Sequence, residues 1–276
     1  MKKFSFLVLS SWFLVLIGCG HSSFLLEAPL DDTSPPLDQN DFSISQGEQT
    51  STVREDRARL AEELESNPFT FPPPPQTLVE SAPVNSLEAY VQAIVSFFPG
   101  TGAGFGQALL PEIVLGPPFG EGNFSGSVDV ISLGNGGEIV LGFRNYIPID
   151  GDGFDFIVFE NAFFPQGGTN LFVEPAIVSV SIDGINFIAF PCTLTPPYDG
   201  CAGTKPVLAN PDFNNIDPRD PLEAGGNPFD LNKIGLSYAR FIKIRDAGLR
   251  LAGQTAQAGQ SGFDLDAISI VHGAQP

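Results

Sequence analysis

The stretch IVSVSIDGINFIAF, Ile177–Phe190, decides the class of the fold. Val178, Val180 and Ile182 alternate with Ser179 and Ser181, so one face is apolar and the other polar, the period-two signature of a strand. Asp183-Gly184 then separates this run from a second one, Phe187–Phe190, and an Asp-Gly pair between two such runs marks a hairpin. The same texture spreads outward. Short apolar runs bounded by Gly, Pro, Asn and Asp clusters predict strands near 91–98, 128–133, 138–144, 154–160, 176–182, 186–190, 239–245 and 264–271. In EIVLGF, Ile139, Leu141 and Phe143 share a face. No repeat of solenoid or propeller period is present. Residues 85–276 are therefore expected to form one all-β domain, two packed sheets in a β-sandwich of jelly-roll type.

Two segments also carry a resemblance. IVSVSIDGINFIAF and the later ARFIKIRD are similar to the paired strands of discoidin-like, galactose-binding-like sandwiches, which show a V-x-V-S-x-D-G-x-x-W hairpin and an A-R-Y-V-R-I strand. Phe187 stands where the tryptophan usually stands, and Phe241 and Lys243 replace Tyr and Arg. More narrowly, SLGNGGEIVLGF, DGDGFDFIVFENAF, EPAIVSVSIDG and GFDLDAISIV resemble, in this order, a group of exported bacterial surface proteins. The resemblance covers roughly residues 94–271. It implies the sandwich fold and an envelope setting, and leaves the role open, because such folds host many functions.

The N-terminal part reads differently. Residues 1–18 have a basic start at Lys2 and Lys3 and an apolar run too short for a comfortable membrane span, as in a signal peptide. The run ends in LIGC, Leu16–Cys19, which resembles the lipobox of bacterial lipoproteins. That resemblance implies a lipid on Cys19 and, with Gly20 rather than an aspartate after it, the outer membrane or cell surface. The alternative is an ordinary signal peptide with an incidental cysteine. Residues 19–84 are polar, acidic and proline-rich, with SPPLD and FPPPPQ as stiff pieces, and are expected to form a disordered, lipid-anchored stalk. Within it TSTVREDRARLAEELES, with Leu60 and Leu64 four apart, predicts a short marginal helix.

A net charge of −19 and the lack of any basic stripe exclude nucleic acid as a partner. Such acidity suits a solvated surface protein, a cation binder, or both. With Cys19 lipidated, Cys192 and Cys201 remain as a pair in an exported chain, and a disulfide is expected between them.

The acids themselves raise the sharpest question. In DGDGFDFIVFENAF, Asp150, Asp152 and Asp155 fall within one glycine-permitted turn at the spacing of oxygen-rich calcium loops. No distal bidentate Glu follows at EF-hand spacing, and a strand, not a helix, comes next. The competing reading is a solvated turn whose aspartates bond backbone N–H groups, as is expected of Asp183 and Asp199. Glu160 and Asn161, at the far end of the strand, lie too far along it to share an ion with Asp150. Asp264 and Asp266 in GFDLDAI head a strand face that continues with Ile268 and Ile270, where a carboxylate is expected to meet a metal or ligand, with turn-capping or pairing to Arg240 or Arg245 as the competing reading. Glu174 and Asp230 are further oxygens in loops.

Catalytic signals are weak. GTGAGFGQ, Gly100–Gln107, lacks nucleotide-binding spacing and is expected to be a mobile loop. The histidines, His21 and His272, sit in no triad or zinc context. The expectation is a non-enzymatic surface lipoprotein with a calcium-stabilised sandwich, held to the membrane by its lipid and binding a surface protein or glycan. The alternative is a carbohydrate-binding module or a glycan-active enzyme using two carboxylates drawn from Asp155, Glu160, Asp264 and Asp266.

Overall fold

A computed structural model describes residues 39–66, 78–165, 168–248 and 262–276, with side chains in the first segment from Thr52 onward. The expected signal peptide, Cys19, SPPLD and FPPPPQ lie outside the described residues. The elements are helix α1 (Gln39–Ser66) and strands β1 (Ala93–Phe98), β2 (Ile131–Ser132), β3 (Glu138–Gly142), β4 (Ile147–Pro148), β5 (Phe156–Val158), β6 (Ala176–Ser181), β7 (Ile188–Ala189), β8 (Asn227–Phe229), β9 (Phe241–Asp246), β10 (Asp264–Leu265), β11 (Ile268–Ile270) and β12 (Gly273–Ala274).

All the strand pairs are antiparallel, in an all-β architecture. A five-stranded sheet has the order β1-β3-β9-β6-β7, a three-stranded sheet the order β11-β5-β8, and β10-β2 and β12-β4 form two-stranded ladders. Register follows the apolar alternation. Ile139, Ile244 and Val178 lie side by side across β3, β9 and β6, and so do Leu141, Ile242 and Val180. These rows meet Phe156, Val158, Phe229, Ile268 and Ile270 of the smaller sheet in one hydrophobic cluster. Within it Phe156 stacks on Phe229 at 5.2 Å. The intervening residues of the FIVF run, Ile157 and Phe159, enter a second cluster with Val207, Ala209 and Ala224. Burial of both faces explains why this strand reads as continuously apolar.

The hairpin expected at Asp183-Gly184 is present, with Ser179 opposite Ala189 and Val180 opposite Ile188. Asp183 caps its turn as expected, accepting from the amides of Ile185 and Asn186, both at 2.8 Å. The Lys243 ammonium lies 4.5 Å from the centre of the Phe187 ring, so two of the positions that depart from the discoidin-like pattern contact each other. GTGAGFGQ is tied down: Thr101 bridges Asn135, and the Ser132 amide donates to the Phe105 carbonyl. A Cβ at Gly100 would lie 2.4 Å from the Asn135 carbonyl oxygen, so the glycine permits that close approach.

The stalk expected through residue 84 needs correction over α1. Residues 39–276 form one compact unit, and Leu60 and Leu64 pack on the sandwich core. The anchor is polar. Arg57, 3% exposed, donates from Nε and Nη2 to the Glu112 carbonyl and from Nη1 to Asp129 at 2.8 Å. A sparse apolar stripe predicts a marginal helix, whereas this buried guanidinium docks it. No helix among the described residues is long and apolar enough to cross a membrane.

Candidate metal centre

The antiparallel pairing of β5 with β8 sets Phe156 opposite Phe229, so Asp155, just before β5, meets Asp230, just after β8. The Asp155 amide donates to the Phe229 carbonyl at 2.8 Å, and the Asp150 amide to the Ser237 carbonyl at 2.9 Å, which brings the turn against the segment after β8. Asp150, Asp155 and Asp230 consequently each offer a carboxylate oxygen within 4.8 Å of the others. Oxygens so spaced fit around a cation with ligand distances near 2.4 Å.

The three play unequal parts. Asp155 is fully buried, and its oxygens accept from the amides of Gly151 at 2.8 Å and Leu231 at 2.7 Å. Asp230 caps the 3-10 turn that follows it by accepting from the Asn232 amide at 2.9 Å, and Asp150 is exposed. Burial pushes the Asp155 carboxyl up to about 6, with the Gly151 and Leu231 amides opposing and the charges of Asp150 and Asp230 adding to the rise. A cation would relieve that repulsion.

Asp152 does not belong to the trio. It is exposed, and its carbonyl oxygen pairs with His272 Nε2 at 3.2 Å. The other ring nitrogen of His272 meets Glu80 at 2.7 Å, so both face acceptors and suit the protonated ring. The ring also bounds the turn, because a Cβ on Gly151 would lie 2.3 Å from it.

Asp264 and Asp266 do not share a centre. β10 ends at Leu265 and pairs with β2, whereas β11 starts at Ile268 and pairs with β5. The Phe119 amide donates to both oxygens of Asp266, at 3.1 and 3.2 Å, with Arg57 the cation nearby. Asp266 is thus a buried clasp for the Phe119 segment, served by an amide and by Arg57 rather than by Arg240 or Arg245. Asp264 instead accepts from the side chains of Ser132 and Asn161 and lies near Glu160. The member of the trio that the turn's own sequence does not contain, Asp230, is signalled only by its place in a loop after a short apolar run.

Beside the trio lies a pocket of about 440 Å³, whose walls include Phe154, Phe190, Tyr198, Phe229, Asp230 and Lys233. Its volume is in the range of small-ligand sites. Cys192 and Cys201 are disulfide-bonded, as expected, and close the loop that carries Tyr198. Tyr198, within that loop, sits at φ 63°, a left-handed conformation that costs a non-glycine residue some strain. Replacing both cysteines by serine should lower unfolding free energy by about 2.5–3 kcal/mol on the loop-entropy account. Urea unfolding monitored by circular dichroism reads this directly; an unchanged midpoint would show that the bond is not structural.

No protein-family model matches the chain, and no curated protein matches it. Among solved structures, the C-terminal domain of a chitobiase from Bacteroides fragilis is similar at 13% identity, with a TM-score of 0.30, over 70% of this chain and 99% of that one. A likeness this slight bears on neither fold family nor function.

Proposed function

We propose that the chain is a non-enzymatic lipoprotein of the bacterial outer membrane or cell surface, anchored through Cys19. Its discoidin-like jelly-roll sandwich uses calcium to fix its loops and presents a pocket to a surface protein or glycan. One observation carries this reading: Asp230 belongs both to the carboxylate trio and to the wall of the aromatic pocket. An all-oxygen donor set suits calcium rather than zinc or copper. An ion held there would order the pocket wall, and ligand capture would then depend on calcium.

A glycan ligand is the second reading, supported by Phe154, which is 39% exposed, and Tyr198 at the pocket. Aromatic faces of this kind suit the apolar faces of sugar rings. Burial argues against hydrolysis. Of the acids able to form a glycosidase pair, Asp155 is 0% exposed and Glu160 and Asp266 are each 1% exposed, which leaves them no access to a substrate.

The test is a glycan array and an envelope-protein capture run in calcium and in chelator, with the full chain and with Tyr198→Ala. Calcium-dependent retention that the variant loses supports the pocket. Retention indifferent to both calcium and Tyr198 contradicts it, and cleavage of a glycan would overturn the non-enzymatic reading.

A further inference from the structure

We propose that Glu160, Glu174 and Asp264 hold a second cation of the calcium type inside the sandwich, at a site separate from the aspartate trio. The chain brings them together from three places. The Phe159 amide donates to the Ala267 carbonyl at 2.9 Å and the Asp266 amide to the Phe159 carbonyl at 3.1 Å, which sets Glu160 beside the Asp264–Asp266 segment. Glu174, just ahead of β6, accepts from the Gly262 amide at 3.0 Å and is thereby drawn to the same strand end.

The observation that points to a ligand is Glu160 itself. It is 1% exposed, both of its carboxylate oxygens are sealed from solvent, and neither has a hydrogen-bond partner. The amides of Asn161 and Asp264 favour its charge from nearby but do not reach either oxygen with hydrogen-bond geometry. Asp264 Oδ1 is likewise sealed and unpartnered. The charges that act on these three acids are all carboxylates: Asp264 and Glu174 on Glu160, Asp264 and Asp246 on Glu174, and Asp246 on Asp264. Asp246 shows what a purely structural acid in this region looks like. Its oxygens accept from the amides of Gly136 at 2.7 Å, Gly248 at 2.8 Å and Phe263 at 2.9 Å. Glu160 has no such set of donors. Buried acceptors left unpaired among like charges are strongly disfavoured, and a cation removes both the repulsion and the unmet bonding. The donors on offer are carboxylate oxygens with neither thiolate nor imidazole among them, which selects a hard cation, and calcium's loose coordination tolerates their spread. Unlike the aspartate trio, these three do not each present an oxygen within 4.8 Å of the others, so taking up the ion requires their side chains to move together.

The test uses the full chain in saturating calcium and compares wild type, Glu160→Gln and Asp230→Asn. Bound calcium per chain should fall by one ion in Glu160→Gln and by a different ion in Asp230→Asn, and the two losses should add in the double variant. Melting separates the site from a lone buried carboxylate by sign. If an ion is held, Glu160→Gln lowers Tm in calcium; if not, replacing a neutral or repelled acid leaves Tm unchanged or raises it. An unchanged or raised Tm with unchanged calcium stoichiometry, as a protonated carboxyl or a buried water would give, overturns the proposal. Should Glu160→Gln fail to fold, Glu174→Gln is read by the same two measurements. Loss of the ion in Asp230→Asn alone counts against this site and for the trio, and loss in Glu160→Gln alone does the reverse.

Discussion

Freed of divalent cations, the protein is expected to melt at a clearly lower temperature at pH 8 than at pH 5, and calcium is expected to abolish or reverse that slope. Burial raises Asp155 and Asp264 to about 6 and Glu174 to about 8, and it raises Glu160 and Asp266 well above the usual carboxylate range. For an acid whose folded pKa exceeds its unfolded value, the stabilising form is the protonated one. That contribution is complete below about pH 4 and is lost as pH climbs through 6 and 8. Each unit of displacement is worth about 1.4 kcal/mol, so five such groups make the metal-free loss several kcal/mol. His272 acts in the same direction. Burial opposes its protonation, but the contact with Glu80 prevails and raises it, so its pairing weakens as pH rises. Calcium binds the ionised carboxylates and gains affinity over the same interval, adding about 2.7 kcal/mol at a hundredfold excess over its dissociation constant. Differential scanning calorimetry at pH 5, 6, 7 and 8, with chelator and with calcium, reads both slopes. Metal-free stability that rises from pH 5 to pH 8 would contradict this electrostatic account.

The second large effect lies on the opposite side of the chemistry. Arg57→Ala should cost about 3 kcal/mol, the lower end for breaking a buried pair because Asp129 remains partly solvated. The loss comprises the Asp129 bond, two donations to the Glu112 carbonyl, and the packing of the guanidinium 5.0 Å from the centre of the Phe119 ring. Because the Phe119 amide clasps Asp266, the damage should spread to that buried acid. Arg57→Lys should recover only part of the stability, since an ammonium cannot make both contacts in the same geometry. Hydrogen exchange over residues 52–66 should rise to the level of an undocked helix in Arg57→Ala. Unchanged exchange there, together with a stability change within about 0.5 kcal/mol, would show that α1 is not held by this arginine.

Strands with a clean period of two were legible in the sequence: β3, β6 and β9 put Ile139, Val178 and Ile244 where alternation places them. β4, β8 and β12 were not, because two or three residues carry no period and two of these strands contain a proline. The turn at Asp150 and Asp155 could be read as a cation loop from spacing alone. Its partner Asp230 could not, since its position depends on the pairing of β5 with β8, a long-range fact. Arg57 illustrates the same limit. An arginine on a polar helix reads as solvated until a distant carbonyl and carboxylate are seen to receive it. Likewise Asp264 and Asp266, two apart, suggest a shared face, but the break between β10 and β11 sends them to different partners.

The most direct measurement is anomalous scattering from crystals of the protein grown with calcium. An anomalous peak bounded by carboxylate oxygens of Asp150, Asp155 and Asp230, with oxygen distances near 2.4 Å, is the predicted result. Well-ordered density at that position without anomalous signal, filled by water or by the side chains bonding one another, would contradict it.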